Sequence, residues 1–375
     1  MPLDLAPIPI VDGHCHSLLR RQPGDDEAFR AHLTESSFPE IGRDHVPHSL
    51  LYHVALRELG ELFGCEPRPE AIHEARASWG VERVAREIVE RASFETWLVD
   101  SGYGGEGTFT VDELRKLVPC EVRDVLRLEP LIERLIVESP GFGAFEEAYR
   151  AAIADLRGWG YVGMKSIVAY RTGLALQPVD RPTAAAAFAD VQENARRDGT
   201  LRIASKPLLD YLVVIAVEEA ARQEVPIQFH TGLGDPDLDL PLADPARLRL
   251  IFADRFRAAQ IVLLHTGYPY VRSMAWLAAM YPNVYADIGE APLFAVGEAA
   301  QLFRELLALA PASKLLFSTD ASLVPELYWL GARIGRRALA TVLDEHVAAG
   351  SIDERTALGM AERILRRNAE AVYGL

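Results

Sequence analysis

Short apolar runs, several of which end in an ionisable residue, recur along the chain, and stretches with apolar residues at helical spacing separate them. The runs are Pro9–Gly13, Thr96–Asp100, Val122–Glu129, Tyr161–Val168, Pro226–His230, Ile261–His265, Val284–Ile288 and Leu315–Asp320. Their brevity and flanking turn residues predict strands. Helical spacing covers Phe145–Trp159, Leu208–Arg222, Val271–Tyr281 and Gly297–Leu309, and a helical tail from about Tyr328 closes with Ala361–Tyr373. Alternating strand and helix predict a parallel α/β fold. Eight strand-like runs predict a (β/α)8 TIM-like barrel, whose active site lies at the C-terminal ends of the strands. The third run has the weakest signal, because Arg123, Asp124 and Arg127 crowd it.

The stretch from Ser17 to Phe94 is too long for one connection in a compact barrel. Helical pieces near His48–Phe63 and Pro69–Ala92 make residues 17–94 a helical insertion after the first strand. Two roles are open to it, a lid over the barrel mouth or a peripheral, dimerising appendage. No repeat or Pro/Gly/Ser-rich linker interrupts the pattern, so residues 1–375 read as one barrel domain.

Composition narrows the function. At 49% hydrophobic and 25% charged residues the chain is globular. A net charge of −15 argues against a nucleic-acid partner, which would call for a basic face. Cys15, Cys65 and Cys120 are odd in number and lack CxxC spacing, which favours reduced thiols and a cytoplasmic location. The N-terminus has no basic n-region and no apolar run would span a bilayer, so no membrane partner is expected. The insertion and the helical tail offer surfaces for a homo-oligomer.

The sharpest chemical signal is His14-x-His16, at the end of the first strand-like run. Residues two apart on a strand face the same side, so both imidazoles can grip one metal ion. His230, His265 and Asp320 each close a later run. His14, His16, His230 and Asp320 form a candidate divalent-metal shell on a barrel rim, with His265 as a ligand of a second ion or a substrate contact. Such an ion brings a bound water towards neutral pKa, and Asp320, bound through one oxygen, could take its proton through the other. Lys165 falls on the fourth strand, where an unpaired interior ammonium is costly. Three roles are open to it: a carboxylated bridge between two ions, a substrate contact, or a structural lysine with its head at solvent. Arg171 follows the same strand and can clamp a carboxylate, or form a surface ion pair. Glu129 could reach the metal centre or cap the rim. His48 and His53 read as a solvated helix face, and Cys15 as packing, since it points away from its neighbours.

The stretches VDGHCH, GMKSIVAYRTG, FHTGLGDPDLDL, IVLLHTGYPY, NVYADIG and LLFSTDASLVPELYWLGAR together resemble the amidohydrolase superfamily of metal-dependent hydrolases, of the amidohydrolase-2 type. The likeness runs from Val11 to Arg333 and is closest to the amidohydrolase-like domain of FluG and nodulin-type proteins. It implies a distorted (β/α)8 barrel and, most often, zinc. It carries ligand roles to His14, His16, His230 and Asp320, and a metal or substrate role to His265. Binuclear members have a carboxylated lysine on the fourth strand, where Lys165 falls, and mononuclear members lack it. In fused relatives the domain is joined to a glutamine-synthetase-like domain, which hints at γ-glutamyl amide chemistry.

The resulting expectation is a metal-dependent hydrolase that cleaves a C–N amide bond of a small carboxylated substrate, such as a γ-glutamyl amide or an N-acyl amino acid. Asp320 and His265 would act in catalysis, and Arg171 or Lys165 would hold the carboxylate. The cofactor would be one or two divalent ions, Zn2+ first, with Mn2+ and Fe2+ as other candidates. Two other readings are a mononuclear decarboxylase of an aromatic acid and a catalytically silent barrel that serves as a binding module.

Overall fold

A computed structural model describes residues 3–375. Eight parallel strands pair in chain order. They are β1 (Ile10–Cys15), β2 (Phe94–Asp100), β3 (Glu121–Arg127), β4 (Tyr161–Ser166), β5 (Pro226–Phe229), β6 (Gln260–Leu263), β7 (Val284–Ile288) and β8 (Leu315–Phe317). Helices follow the strands and cover the outside, giving the (β/α)8 barrel that the alternation predicts. β1 and β8 share no strand ladder. Their ends are instead joined beyond the strands, by Asp320 N to His14 O (3.0 Å) and His16 N to Ala321 O (2.8 Å). The Asp12 carboxylate tightens this seam by accepting from Thr319 N (2.9 Å) and Thr319 Oγ1 (2.5 Å).

The barrel axis is filled by an apolar cluster separate from the outer core. Val11, Leu98, Val125, Val162, Val262, Leu264 and Leu316 meet Ala369, Val372 and Tyr373 of the last helix, Asn368–Tyr373. That helix plugs one end of the barrel. Tyr373 Oη accepts a hydrogen bond from Gln228 Nε2 (2.7 Å), which also donates to Gly13 O (2.8 Å).

A bulge in β1 aims the first ligands. Asp12 pairs with Trp97 and Cys15 with Val99, so three steps along β1 match two along β2. The extra residue lets Val11 face the axis and still turns His14 inward beyond it, the usual way a bulge re-aims a side chain. Gly13 sits at this point, where a Cβ would lie 3.1 Å from Phe317 O. Cys15 turns outward into the surrounding core, its Sγ 3.4 Å from Leu98 O.

Between β1 and β2 lie a short helix, Asp26–Arg30, a wide turn over Ile41–His45 and a tight one over Val46–His48, and the helices Leu50–Phe63 and Pro69–Arg91. The last is broken at Gly80, whose φ of 73° is open to glycine at little cost. This segment packs on the long helix Glu326–Ala348: Trp329 Nε1 donates to Glu58 O (3.1 Å), and the fully buried Arg76 and Glu326 pair directly.

Two expectations need correction. The third strand ends at Arg127, and Leu128–Glu138 is already helix, so Glu129 lies in a first helical turn rather than at a strand end. The expected helical tail is present, since Glu354–Glu362, Arg363–Arg367 and Asn368–Tyr373 run on without a break, the middle stretch being wound more widely. The helix Arg181–Asp198 was not expected. It buries only Ala184, Phe188 and Gln192, too narrow a stripe to register as periodicity, although Asp180 caps it and Pro182 opens it. No helix among the described residues is long and apolar enough to cross a membrane.

Candidate metal centre at the barrel mouth

Residues at the ends of β1, β6, β7 and β8 converge on Asp320. Asp320 Oδ1 lies 3.3 Å from His14 Nε2 and 3.2 Å from His16 Nε2. These are the donor separations of a metal shell, because Zn–N and Zn–O bonds near 2.0–2.1 Å at a tetrahedral angle put ligand atoms about 3.3–3.4 Å apart. His16 Nδ1 lies 3.2 Å from Asp100 O, a contact that keeps the proton on Nδ1 and leaves the Nε2 lone pair facing inward. Asp100 is itself held by Arg127, whose Nε (2.8 Å) and terminal nitrogen (2.7 Å) both reach Oδ2. The donors thus rest on buried outer partners from β2 and β3.

On the other side, His265 Nδ1 lies 3.2 Å from Glu290 Oε2 and 3.5 Å from Asp320 Oδ2. His265, Glu290 and Asp320 all have positive φ, at 65°, 53° and 52°. Left-handed backbone is costly for residues with a side chain, and it clusters where function holds the chain in place. The strained loops are tied together: Thr266 Oγ1 donates to Gly289 O (3.3 Å) and Thr231 Oγ1 to Leu264 O (2.6 Å). Gly289 has no room for a side chain, since a Cβ would run into Ser318 Oγ.

The charge states suit metal binding. Burial, and then Lys165, bring His14 down to about 4, and burial holds His230 and His265 well below their ordinary values, so these imidazoles are neutral. Burial works to raise Asp320, but His265, His14 and His16 outweigh it and hold the carboxyl well below the usual range. Burial, with Glu35 and Asp320 beside it, pushes Glu290 well up. His14 Nδ1, both ring nitrogens of His265, Asp320 Oδ1 and Glu290 Oε2 are buried without hydrogen-bond partners. Such orphaned donors and acceptors are rare and costly unless a ligand takes them up. Neutral imidazole nitrogen with carboxylate oxygen is a donor set that fits zinc and similar ions.

His230 sits beside this centre rather than within either donor cluster. Its ring is 4.3 Å from that of His265, and its Nε2 faces Leu233 O at 2.7 Å. Lys165 is 1% exposed, with Nζ 3.1 Å from His14 Nε2, and burial lowers it to about 8. Arg171 lines the cavity; its one ion-pair partner among the described residues, Glu133, is 3.9 Å away, and its Nε has no hydrogen-bond partner. Glu129 is turned from the centre: its Oε1 accepts from Ser166 Oγ (2.8 Å) and Ile167 N (2.9 Å), tying the helix to the end of β4. His48 and His53 are exposed in the insertion.

The cavity over the donors holds about 160 Å³. Sequence reasoning missed several of its residues: Glu35, Tyr103, Arg127, Tyr170, Arg202 and Glu290. Glu290 carried a usable signal, since it stands two residues beyond the seventh strand-like run, where the barrel rule looks for chemistry. Glu35 had none, because the fold of the insertion alone brings it to the mouth. Burial, with Asp320 and Asp235, pushes Glu35 up to about 8.

A family model described as amidohydrolase matches residues 204–375. The chain is 29% identical over 412 residues to protein fluG of Emericella nidulans, covering 98% of this chain and 46% of that protein. It therefore spans about half the length of that curated relative. The crystal structure of a "putative metal-dependent hydrolase" from Lactobacillus casei superposes with a TM-score of 0.90 at 30% identity, over 99% of this chain and 96% of the other. Uronate isomerase from Thermotoga maritima shares the fold, with a TM-score of 0.68 at 15% identity over 98% and 95% of the two chains. With a relative of that identity over nearly its whole length, and a barrel whose mouth carries the donors such chemistry needs, the chain belongs to the amidohydrolase superfamily and is an enzyme of that group.

Proposed function

We propose that the enzyme hydrolyses a C–N amide bond of a small carboxylated substrate, of the γ-glutamyl amide or N-acyl amino acid class, with one catalytic divalent ion held by His14, His16 and Asp320. The carrying observation is the 3.2–3.3 Å spacing of Asp320 Oδ1 from both Nε2 atoms. Zinc is the first choice for these donors. When bound, the ion supplies Lewis-acid activation of water and of the amide carbonyl at neutral pH.

The chain supplies the rest. Asp320 stays ionised and offers Oδ2 as the acceptor of the attacking water's proton, which it can pass on to the leaving nitrogen. His265, 3.5 Å from that oxygen, orients the carboxylate and faces the developing negative charge. Arg171 has guanidinium hydrogens to spare for a substrate carboxylate, and the Lys165 amine adds a second basic group on the same cavity wall. A cavity of about 160 Å³ limits the reacting part of the substrate to a few heavy atoms.

The test is a panel of γ-glutamyl amides and N-acyl amino acids, incubated with zinc-loaded protein and assayed for released amine. Turnover that disappears on chelation and returns with metal is the expected result. No amine release from any member by fully loaded protein would overturn the substrate class.

A further inference from the structure

We propose that the acyl part of the amide substrate carries a free α-amino acid head, its ammonium held by Glu35 and Asp235 and its carboxylate by Arg171 and Arg202. The assignment rests on the proposed amide hydrolysis and deepens it, by selecting γ-glutamyl amides over N-acyl amino acids, which carry no ammonium.

The cavity has two poles of opposite charge. Arg171 and Arg202 form the basic one, after β4 and before the helix Lys206–Gln223. Arg202 donates to Tyr170 O (3.4 Å) and pairs with Asp237 (3.0 Å), while Glu133 reaches Arg171 only at 3.9 Å. Burial, and then the Arg202 guanidinium, bring Arg171 down, so the two cations repel, a strain that a bound carboxylate relieves.

Glu35 and Asp235 form the acidic pole. Asp235 follows β5, and the insertion carries Glu35 to the mouth. Neither forms an ion pair among the described residues, and the groups that act on Glu35 are two more carboxylates, Asp320 and Asp235. In the same cavity Glu290 is 2% exposed, and its Oε2 has no hydrogen-bond partner. An ion on His14, His16 and Asp320 answers the charge of Asp320 alone. Glu35, Asp235 and Glu290 then share a small cavity, an unfavourable state unless a ligand brings a cation. An ammonium offers them three donors.

The ammonium and carboxylate of an α-amino acid sit on one carbon, so their pockets must adjoin. Here the two poles meet at one loop: Asp235 and Asp237, the partner of Arg202, are tied by Asp237 N to Asp235 Oδ1 (2.8 Å). Tyr170 closes the junction, with its carbonyl at Arg202 and its hydroxyl accepting from Asp235 N (3.3 Å). Glu35 also lines two wider clefts outside, of about 720 and 710 Å³, which leave room for the amine beyond the scissile bond. The insertion is thereby part of the substrate site rather than a peripheral appendage.

The test is calorimetric titration of zinc-loaded protein with three matched probes: L-glutamate, glutarate, which lacks the ammonium, and 4-aminobutyrate, which lacks the α-carboxylate. Wild type should bind glutamate about tenfold or more tighter than either, the worth of one charge-assisted hydrogen bond. Glu35→Gln and Asp235→Asn, with folding checked by circular dichroism, should each cut the preference for glutamate over glutarate by about tenfold. Arg171→Gln should cut the preference over 4-aminobutyrate instead. Equal binding of glutamate and glutarate would overturn the ammonium pocket. So would a preference that survives both acidic variants, the mark of an amino acid chelating the metal. In the amide panel, γ-glutamyl amides should be cleaved and N-acyl amino acids left intact; equal cleavage of both would overturn the selection. A panel without turnover would contradict the hydrolysis but leave the probe preferences standing, so the two proposals fail separately.

Discussion

Asp320 joins both donor clusters and faces the cavity, so it is the position where one atom matters most. In the proposed reaction, Asp320→Asn keeps the shape but loses the proton acceptor and weakens ion binding. A positioned general base is worth about 10²–10⁴-fold in rate, so kcat should fall by at least that with the fold intact by circular dichroism. A variant retaining a tenth of the activity would remove Asp320 from the proton path. The candidate donors legible in the sequence, His14, His16, His230, His265 and Asp320, share one property: each lies at or just beyond the end of an apolar run, although the β1 bulge that turns His14 inward was not legible. Asp100 and Arg127 also end strands, but their pairing depends on the register of β2 against β3, which no local pattern encodes. Glu35 reaches the mouth through the packing of the insertion, a property of tertiary structure.

At the scale of elements, most strands were readable as brief apolar runs, because parallel strands buried on both faces leave continuous hydrophobic stretches, whereas β3 is half-buried and carries Arg123, Asp124 and Arg127. Their ends were less so. Leu128 and Glu129 continue the apolar-polar rhythm of β3 while already in helix, since two residues cannot distinguish the two periods. The β1 bulge was also hidden, being a relation between two strands rather than a feature of one. The insertion is anchored by Arg76, 1% exposed and paired with Glu326, 0% exposed, at the start of the helix that follows the Asp320 loop. Arg76→Ala leaves that carboxylate buried and unpaired, and should cost about 3–5 kcal/mol in denaturant unfolding. Replacing both partners, as Arg76→Met with Glu326→Leu, should cost clearly less. Equal losses in the two variants would mean that packing, not the stranded charge, sets the cost.

Over the whole molecule, the barrel interior carries ionisable groups whose titration tunes its stability. Burial pushes Asp287 up to about 8 from an ordinary 3.8, despite the hydrogen bond it accepts from Ser318 Oγ (2.8 Å). Between those values the folded chain keeps a proton that the unfolded chain has released. Its contribution is therefore greatest below pH 4 and declines as pH rises towards about 8. Asn carries no such proton, so the melting temperature of Asp287→Asn should gain on that of metal-free wild type from about pH 5 to about pH 8. A constant difference over that range would contradict the buried, protonated carboxyl. The proposed reaction nevertheless depends on an ion at the barrel mouth. The most direct test is an anomalous difference map from crystals of zinc-loaded protein, recorded at the zinc edge. The account predicts a peak about 2.0–2.2 Å from His14 Nε2, His16 Nε2 and an Asp320 oxygen. A map with no peak among these three residues would contradict it.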